Sequence, residues 1–196
     1  EIELSVKFSP PFANTFSVGG NFAEPTTQTK TEIIMTHKYW GKVEEDWAGF
    51  SSDITFSHPF FDKQNVEIFL GEEYDEDGEE IEEFPTENRL TEFAETYQNF
   101  IENIEINIKS IQDKAYERYL KLYAHFYENS EKSGEPALNI DNVDKHNENI
   151  KEIMYLRVLD DKTIKLSIRY KLDTEHGLEF KFVGGQITNV GGIVET

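Results

Sequence analysis

Hydrophobic positions along this chain follow two spacings, and the change from one to the other divides it into three parts. Residues 2–8 alternate, with Ile2, Leu4, Val6 and Phe8 on one side and Glu3, Ser5 and Lys7 on the other, which predicts a half-buried strand. Pro10-Pro11 ends it, and Gly19-Gly20 and Pro25 mark an irregular link. Residues 31–40 (TEIIMTHKYW) predict a second strand, closed by Gly41. Segments 50–57 (FSSDITFS) and 65–70 (NVEIFL) predict a third and a fourth, with Ile54, Phe56, Val66, Ile68 and Leu70 facing inward.

The period then lengthens. Pro85 and a possible N-cap at Thr91 precede a helical region over about 91–128. Ile104, Ile108, Ile111, Ala115, Tyr119, Leu122 and Phe126 recur at three- and four-residue steps, forming one apolar stripe. Phe93, Tyr97, Phe100 and Ile101 extend it backwards, and Tyr116, Leu120, Tyr123 and Tyr127 widen it. One long helix fits, and so do two helices broken near Asn103–Asn107. Ser130–Pro136 reads as a loop, and Asp141 as the cap of a short helix over 142–150. Alternation returns in a β-meander: 152–159, 162–172, 177–183 and a short strand near 186–190. Asp160-Asp161 and Gly184-Gly185 stand where hairpin turns are needed.

Strands, then helices, then strands predict an α+β fold, with a mainly antiparallel sheet and a long amphipathic helix or helix pair packed on it. So broad an apolar stripe suits a sheet better than a coiled-coil partner. No linker or repeat divides the chain, so residues 1–196 read as a single domain. Residues 1–48 form an N-terminal β extension of it.

Composition narrows the chemistry. Fifteen Phe, nine Tyr and two Trp in 196 residues supply a bulky core, and a chain of this length needs no disulfide or metal to hold one. The absence of Cys removes thiol chemistry and zinc knuckles and points to a reducing cytoplasm. Because the chain starts at Glu1, a removed leader or tag stays open. No apolar run approaches the ~20 residues of a membrane span. A formal charge of −20 repels nucleic-acid phosphates and anionic lipid and attracts a basic protein. Nine carboxylates fall within residues 72–83 (EEYDEDGEEIEE), around the tight-turn signal Asp77-Gly78. This segment reads as an acidic hairpin tip or loop.

Within it, Glu73-x-Asp75-x-Asp77-Gly78 imitates the start of a calcium loop. Position eight is Glu80 rather than an apolar residue, however, and position twelve is Phe84 rather than a bidentate Glu. The segment Asp75–Glu80 is left as at most a weak divalent-cation binder, and no metal or other cofactor is expected. The five His form no HExxH or other short ligand spacing, and neither nucleophile-elbow nor phosphate-loop motifs occur. These absences point away from an enzyme.

Asp173-Thr174-Glu175-His176-Gly177 is more particular. It lies between two alternating strands, where Asp173 and Glu175 can accept backbone N–H bonds and Gly177 can take positive φ. A His beside two carboxylates is more readily protonated than a free one. The simplest reading is a turn that sets hairpin register, and the alternative is a small enzyme or ligand site built on Glu175-His176.

The order of elements is also familiar. An aromatic-rich strand pair precedes a helix with Gln98, Phe100 and a Tyr-rich end (Tyr116, Tyr119, Tyr123). Then come a strand, the turn Asp173-x-Glu175-His176-Gly177-Leu178, a Gly-containing hairpin and Val190-Gly191. Over residues 50–192 this resembles a group of uncharacterised bacterial domains often met among immunity proteins of polymorphic toxin systems. Its relatives often carry Trp where this chain has Leu172. The resemblance implies non-enzymatic neutralisation of a cognate toxin. With the charge, it nominates Glu72, Glu73, Asp75, Asp77, Glu79 and Glu80 as the docking residues for that basic partner. Calcium titration followed by calorimetry is expected to show no binding tighter than roughly millimolar; stoichiometric micromolar binding would overturn the reading of 72–83.

Overall fold

Alternating segments become strands wherever they fall among the residues described in this computed structural model: 5–7, 32–193 and 195–196. The first five strands are β1 (Ser5–Lys7), β2 (Glu32–His37), β3 (Gly41–Asp46), β4 (Gly49–Phe56) and β5 (Val66–Leu70). Helices α1 (Glu87–Glu102), α2 (Ile104–Leu122), α3 (Ala124–Tyr127), α4 (Ser130–Ser133) and α5 (Val143–Asn147) follow. The chain ends in β6 (Glu152–Leu159), β7 (Thr163–Tyr170), β8 (Asp173–Val183) and β9 (Gln186–Gly191). Among the described residues these nine strands make one sheet in chain order, and the fold is α+β. Every neighbouring pair is antiparallel except β5 and β6, which pair in parallel with Ile68 opposite Leu156. Of the strand predicted over 2–8 only Ser5–Lys7 is described, and its inward face of Ile2, Leu4, Val6 and Phe8 lies outside the described side chains. No described helix is long and apolar enough to cross a membrane.

The predicted strand 31–40 is instead a strand and a turn, and a further strand, β3, follows it. His37 explains the break. Its ring is buried, and its Nδ1 accepts from the backbone N–H of Tyr39 (3.3 Å) and Trp40 (3.4 Å), which closes the turn. Gly41 (φ +70°) opens the next strand rather than ending the previous one, and a Cβ there would lie 2.7 Å from the Asp53 carboxylate. In β3 only Val43 is buried, so the strand carries almost no hydrophobic signal.

The helical region resolves into the two-helix alternative. Helix α1 begins after Thr86, whose hydroxyl accepts from Arg89 N, not after Thr91. It ends because asparagine side chains take over the carbonyls of its last turns. Asn103 Nδ2 donates to Asn99 O (2.9 Å), and the buried Asn107 Nδ2 donates to Phe100 O (3.0 Å). The stripe is buried at Ile108, Ile111, Ala115 and Tyr119, but Leu120, Leu122 and Phe126 are exposed. The stripe therefore leaves the sheet as α2 ends. Residues 130–133, expected in a loop, form the single turn α4, and the short helix α5 is capped by Asn142 rather than Asp141.

The helices pack on one sheet face, against Ile68, Leu70, Leu156, Val158, Ile164, Leu166, Phe180 and Phe182. Trp40 Nε1 donates to Leu90 O (2.9 Å) and fixes the start of α1. Near its end, Phe100 touches Phe56 on β4 (6.3 Å between centroids) and Phe182 on β8 (5.2 Å). Flat strands four apart would stand ~19 Å from each other. The sheet therefore curves around α1. Each such side chain, once buried, contributes about 1.5–3 kcal/mol.

Under α5 lies a buried imidazole. His146 is enclosed by the rings of Tyr116, Tyr119 and Tyr170, with Nε2 2.8 Å from the Tyr170 hydroxyl and Nδ1 without a partner among the described residues. Burial lowers its pKa from 6.5 to about 4. Its contribution to stability is thus complete above pH 6.5 and is lost progressively as pH falls towards 4, because the unfolded chain takes up the proton first. The acid-side loss of stability between pH 6.5 and 5, measured by denaturant unfolding, is expected to be markedly shallower in His146→Gln. That variant keeps a partner for Tyr170 but cannot titrate.

Candidate functional site

Strand direction decides where the charged segments gather. Strands β3, β5, β6 and β8 run the same way, so whatever follows each of them lies at one edge of the sheet. At that edge are the β3–β4 turn after Asp46, the acidic segment after Leu70, the β6–β7 turn at Asp160–Lys162 and the Gly184-Gly185 turn. The Asp173–Gly177 segment follows β7 and lies at the opposite edge. The two sites singled out in the sequence are therefore at opposite ends of the strands.

The acidic segment is a short hairpin-like loop, closed by a bridge between Tyr74 and Glu80. Asp75 builds it: its Oδ1 accepts from the N–H groups of Asp77 and Glu79, both at 2.9 Å, and Gly78 takes φ +80°. Glu73 is half-buried and lies 3.7 Å from Arg157. That arginine is buried, donates to Gly71 O (2.8 Å) and Ala48 O (2.9 Å), and ties the loop base to the β3–β4 turn. Of the six nominated docking residues, Glu73 and Asp75 thus hold the loop together. Glu72, Asp77, Glu79 and Glu80 are exposed and free to face a partner. Among the described residues no group of three His, Asp or Glu side chains is arranged to hold a metal ion.

Beside the loop base is a cleft of about 550 Å³ between α1 and the β6–β7 and β8–β9 turns. Its floor is Phe93, Phe100, Leu159, Ile164 and Phe182, and its rim carries Glu92, Glu95, Asp160, Asp161 and Lys162. Asp160 is engaged by Arg89 through two bonds, Nε at 3.2 Å and Nη2 at 2.7 Å. The β6–β7 turn is centred on Asp161 and Lys162 (φ 54° and 55°) rather than on Asp160-Asp161, with Thr163 N donating to Asp160 O. The sequence signalled neither the cleft nor the place of Glu92 and Glu95 on its rim. Their three-residue spacing on the solvent side of α1 was visible, but the wall facing them comes from residues some 65 positions away.

At the opposite edge the turn proper is Lys171-Leu172. Asp173–Gly177 is not the turn but the irregular start of β8, since Tyr170 pairs with Asp173 and Ile168 with Leu178. Gly177 is favoured there because its φ of +66° strains any L side chain and a Cβ would stand 3.1 Å from Ile168 O. Asp173 is a hub: Oδ2 accepts from the Tyr123 hydroxyl (2.9 Å), and Oδ1 lies 2.9 Å from His176 Nδ1. Tyr127 donates to Leu172 O (2.7 Å). Burial opposes ionisation of Asp173, but the hydrogen bonds from His176 and Tyr123 outweigh it and hold the carboxyl below its usual range. The same bond and charge raise the pKa of the exposed His176. The cleft does not reach this site, and Glu175 is exposed. Its geometry anchors the C-terminal ends of α2 and α3 to the β7–β8 turn.

The remaining sheet face, free of helices, bears Lys165 directly opposite Lys181, with Arg169 opposite Glu152. Two of these basic groups have acidic neighbours within the sheet. Arg169 lies 3.5 Å from Glu152, and Lys165 lies 3.9 Å from the buried Glu179, which accepts from Ser167 (2.7 Å). Trp47 covers Phe69 and Tyr155 on this face, with Arg157 stacked against both rings.

In Asp173→Asn, the His176 titration midpoint followed by NMR is expected to fall back towards the ordinary ~6.5, with backbone shifts outside the hub unchanged. A midpoint that stays raised would mean that Asp173 is not what protonates the ring.

Comparison with known families matches residues 39–195 to a family described as a domain of unknown function (DUF6985). No curated protein and no solved structure matches the chain.

Proposed function

We propose that this chain, which belongs to the DUF6985 family of domains of unknown function, is a non-enzymatic binding module that captures a basic protein at the acidic edge of its sheet. One observation carries the reading. Carboxylates from three separated segments, the 72–83 loop, the exposed side of α1 and the β6–β7 turn, gather at one edge, while Lys165 and Lys181 on the helix-free face are half-buried. A field of one sign concentrated on one edge steers an oppositely charged partner and speeds encounter. The resemblance to immunity domains supplies the finer reading, in which the basic partner is a cognate toxin and binding occludes it.

A second reading, a small enzyme or ligand-binding domain at His176, is favoured by the Asp173–His176 contact alone, since a carboxylate orients a ring nitrogen this way in general-base catalysis. The absence of His176 from the cleft supports the structural role instead.

Replacing Glu72, Asp77, Glu79 and Glu80 by Gln or Asn is expected to slow association with a basic partner about tenfold at low salt and to flatten its salt dependence. Neutralising Lys165, Arg169 and Lys171 is expected to leave the rate unchanged. Stopped-flow measurement at several ionic strengths checks both. The opposite outcome, in which the acidic variant is unaffected and the basic one cannot bind, would put the interface on the other face.

A further inference from the structure

We propose that the cleft between α1 and the β6–β7 turn is an arginine socket: it receives one arginine side chain from the docked partner, with the apolar stem over the floor and the guanidinium among the rim carboxylates. This rests on the acidic edge being the docking face, and it assigns a different task to each part of that edge. The exposed loop at 72–83 attracts, and the cleft holds.

The cleft has the two chemistries that such a side chain combines. Phe93, Phe100 and Phe182 form its floor, and Glu92, Glu95 and Asp161 stand on facing walls. Among the described residues, none of these three carboxylates has an ion-pair partner, whereas Asp160 beside them is already neutralised by Arg89. Among the described residues Lys162 is the one cation on the rim outside that pair, so an excess of negative charge remains to be matched. A long side chain with an apolar stem and a charged head fits a greasy floor below an acidic rim. Three acceptors on two walls favour a guanidinium, with five N–H donors in a fixed fork, over the compact charge of an ammonium. A volume of about 550 Å³ also leaves room for the residues that flank the arginine.

The test is an NMR titration of the isotope-labelled full chain with the capped tripeptide acetyl-Leu-Arg-Leu-amide and its lysine and citrulline counterparts. The arginine peptide is expected to shift resonances within 92–100, 159–164 and 182–185. It should bind at least tenfold more tightly than the citrulline peptide and measurably more tightly than the lysine one. Glu92→Gln with Glu95→Gln, and separately Asp161→Asn, should weaken it about tenfold. Asn tolerates the left-handed backbone at 161, so the turn survives. The loop variant carrying Glu72→Gln, Asp77→Asn, Glu79→Gln and Glu80→Gln should bind the peptide within twofold of the unaltered chain. Equal binding of the citrulline peptide, or of the lysine peptide, overturns the socket, as does an unchanged affinity in the Glu92→Gln, Glu95→Gln variant. Shifts confined to 72–83 and abolished by the loop variant also overturn it, yet leave the docking face standing. Conversely, a peptide that fills the cleft while the loop variant associates with a basic partner at the original rate supports the socket and removes the steering role of the loop.

Discussion

A parallel strand pair cannot be closed by a hairpin. The chain leaving the first strand has to travel the length of the sheet before it can enter the second, and a dozen or more residues are needed to do so. Among the described residues one pair, β5 with β6, is parallel, and the described helices lie in the connection between them. The other described strands are antiparallel neighbours in chain order. The crossover therefore fixes which face of the sheet is covered. It also fixes which segments share an edge, because β5 and β6 end side by side, bringing the 72–83 loop and the Asp160–Lys162 turn together.

The crossover has to be held at both ends. Where β5 gives way to the acidic loop, Arg157 donates to Gly71 O and Ala48 O and lies close to Glu73. A buried arginine with carbonyls and a carboxylate around it is tolerable because its donors are used, and removing one of its partners is costly. Gly71 N donates to Val158 O (2.8 Å), continuing the parallel pairing one step beyond the strand. At the far end the Asp173 hub and the Tyr127 contact to Leu172 attach the helix termini to the β7–β8 turn. Between these anchors the sheet bends around α1, so Phe100 can bridge β4 and β8.

This arrangement separates charge by function. Acid that organises the fold, such as Asp75, Glu73, Asp160 and Asp173, is hydrogen-bonded or paired. Among the described residues, Glu72, Asp77, Glu79, Glu80, Glu92, Glu95 and Asp161 have no ion-pair partner and lie at the carboxyl edge of the parallel pair. In open sheets with crossovers that edge is where ligands commonly bind, because loops from adjacent strands diverge there and leave a crevice. The cleft beside α1 occupies such a position.

How much of this was legible depended on whether the information was local. Alternation at Ile164–Tyr170 and at Leu178–Phe182, and the three- and four-residue steps from Ile104 to Tyr119, are local patterns that report which side of an element meets the core. The sequence by itself therefore determined the α+β class, the C-terminal meander, the inward faces and the acidity of 72–83. It failed at β3, where the single buried side chain of Val43 leaves no period to detect. It failed again at Asp173–Gly177, where pairing of Ile168 with Leu178 and of Tyr170 with Asp173 makes a strand irregularity out of what looks like a turn. Helix capping by Thr86 rather than Thr91, and by Asn142 rather than Asp141, turned on one hydrogen bond each. Only the tertiary structure decided that β5 and β6 run parallel and that Glu92, Glu95 and Asp161 face one another across a cleft. Pairing direction and cross-chain proximity are set by the packing of segments distant in sequence, and no periodicity within one segment carries that information.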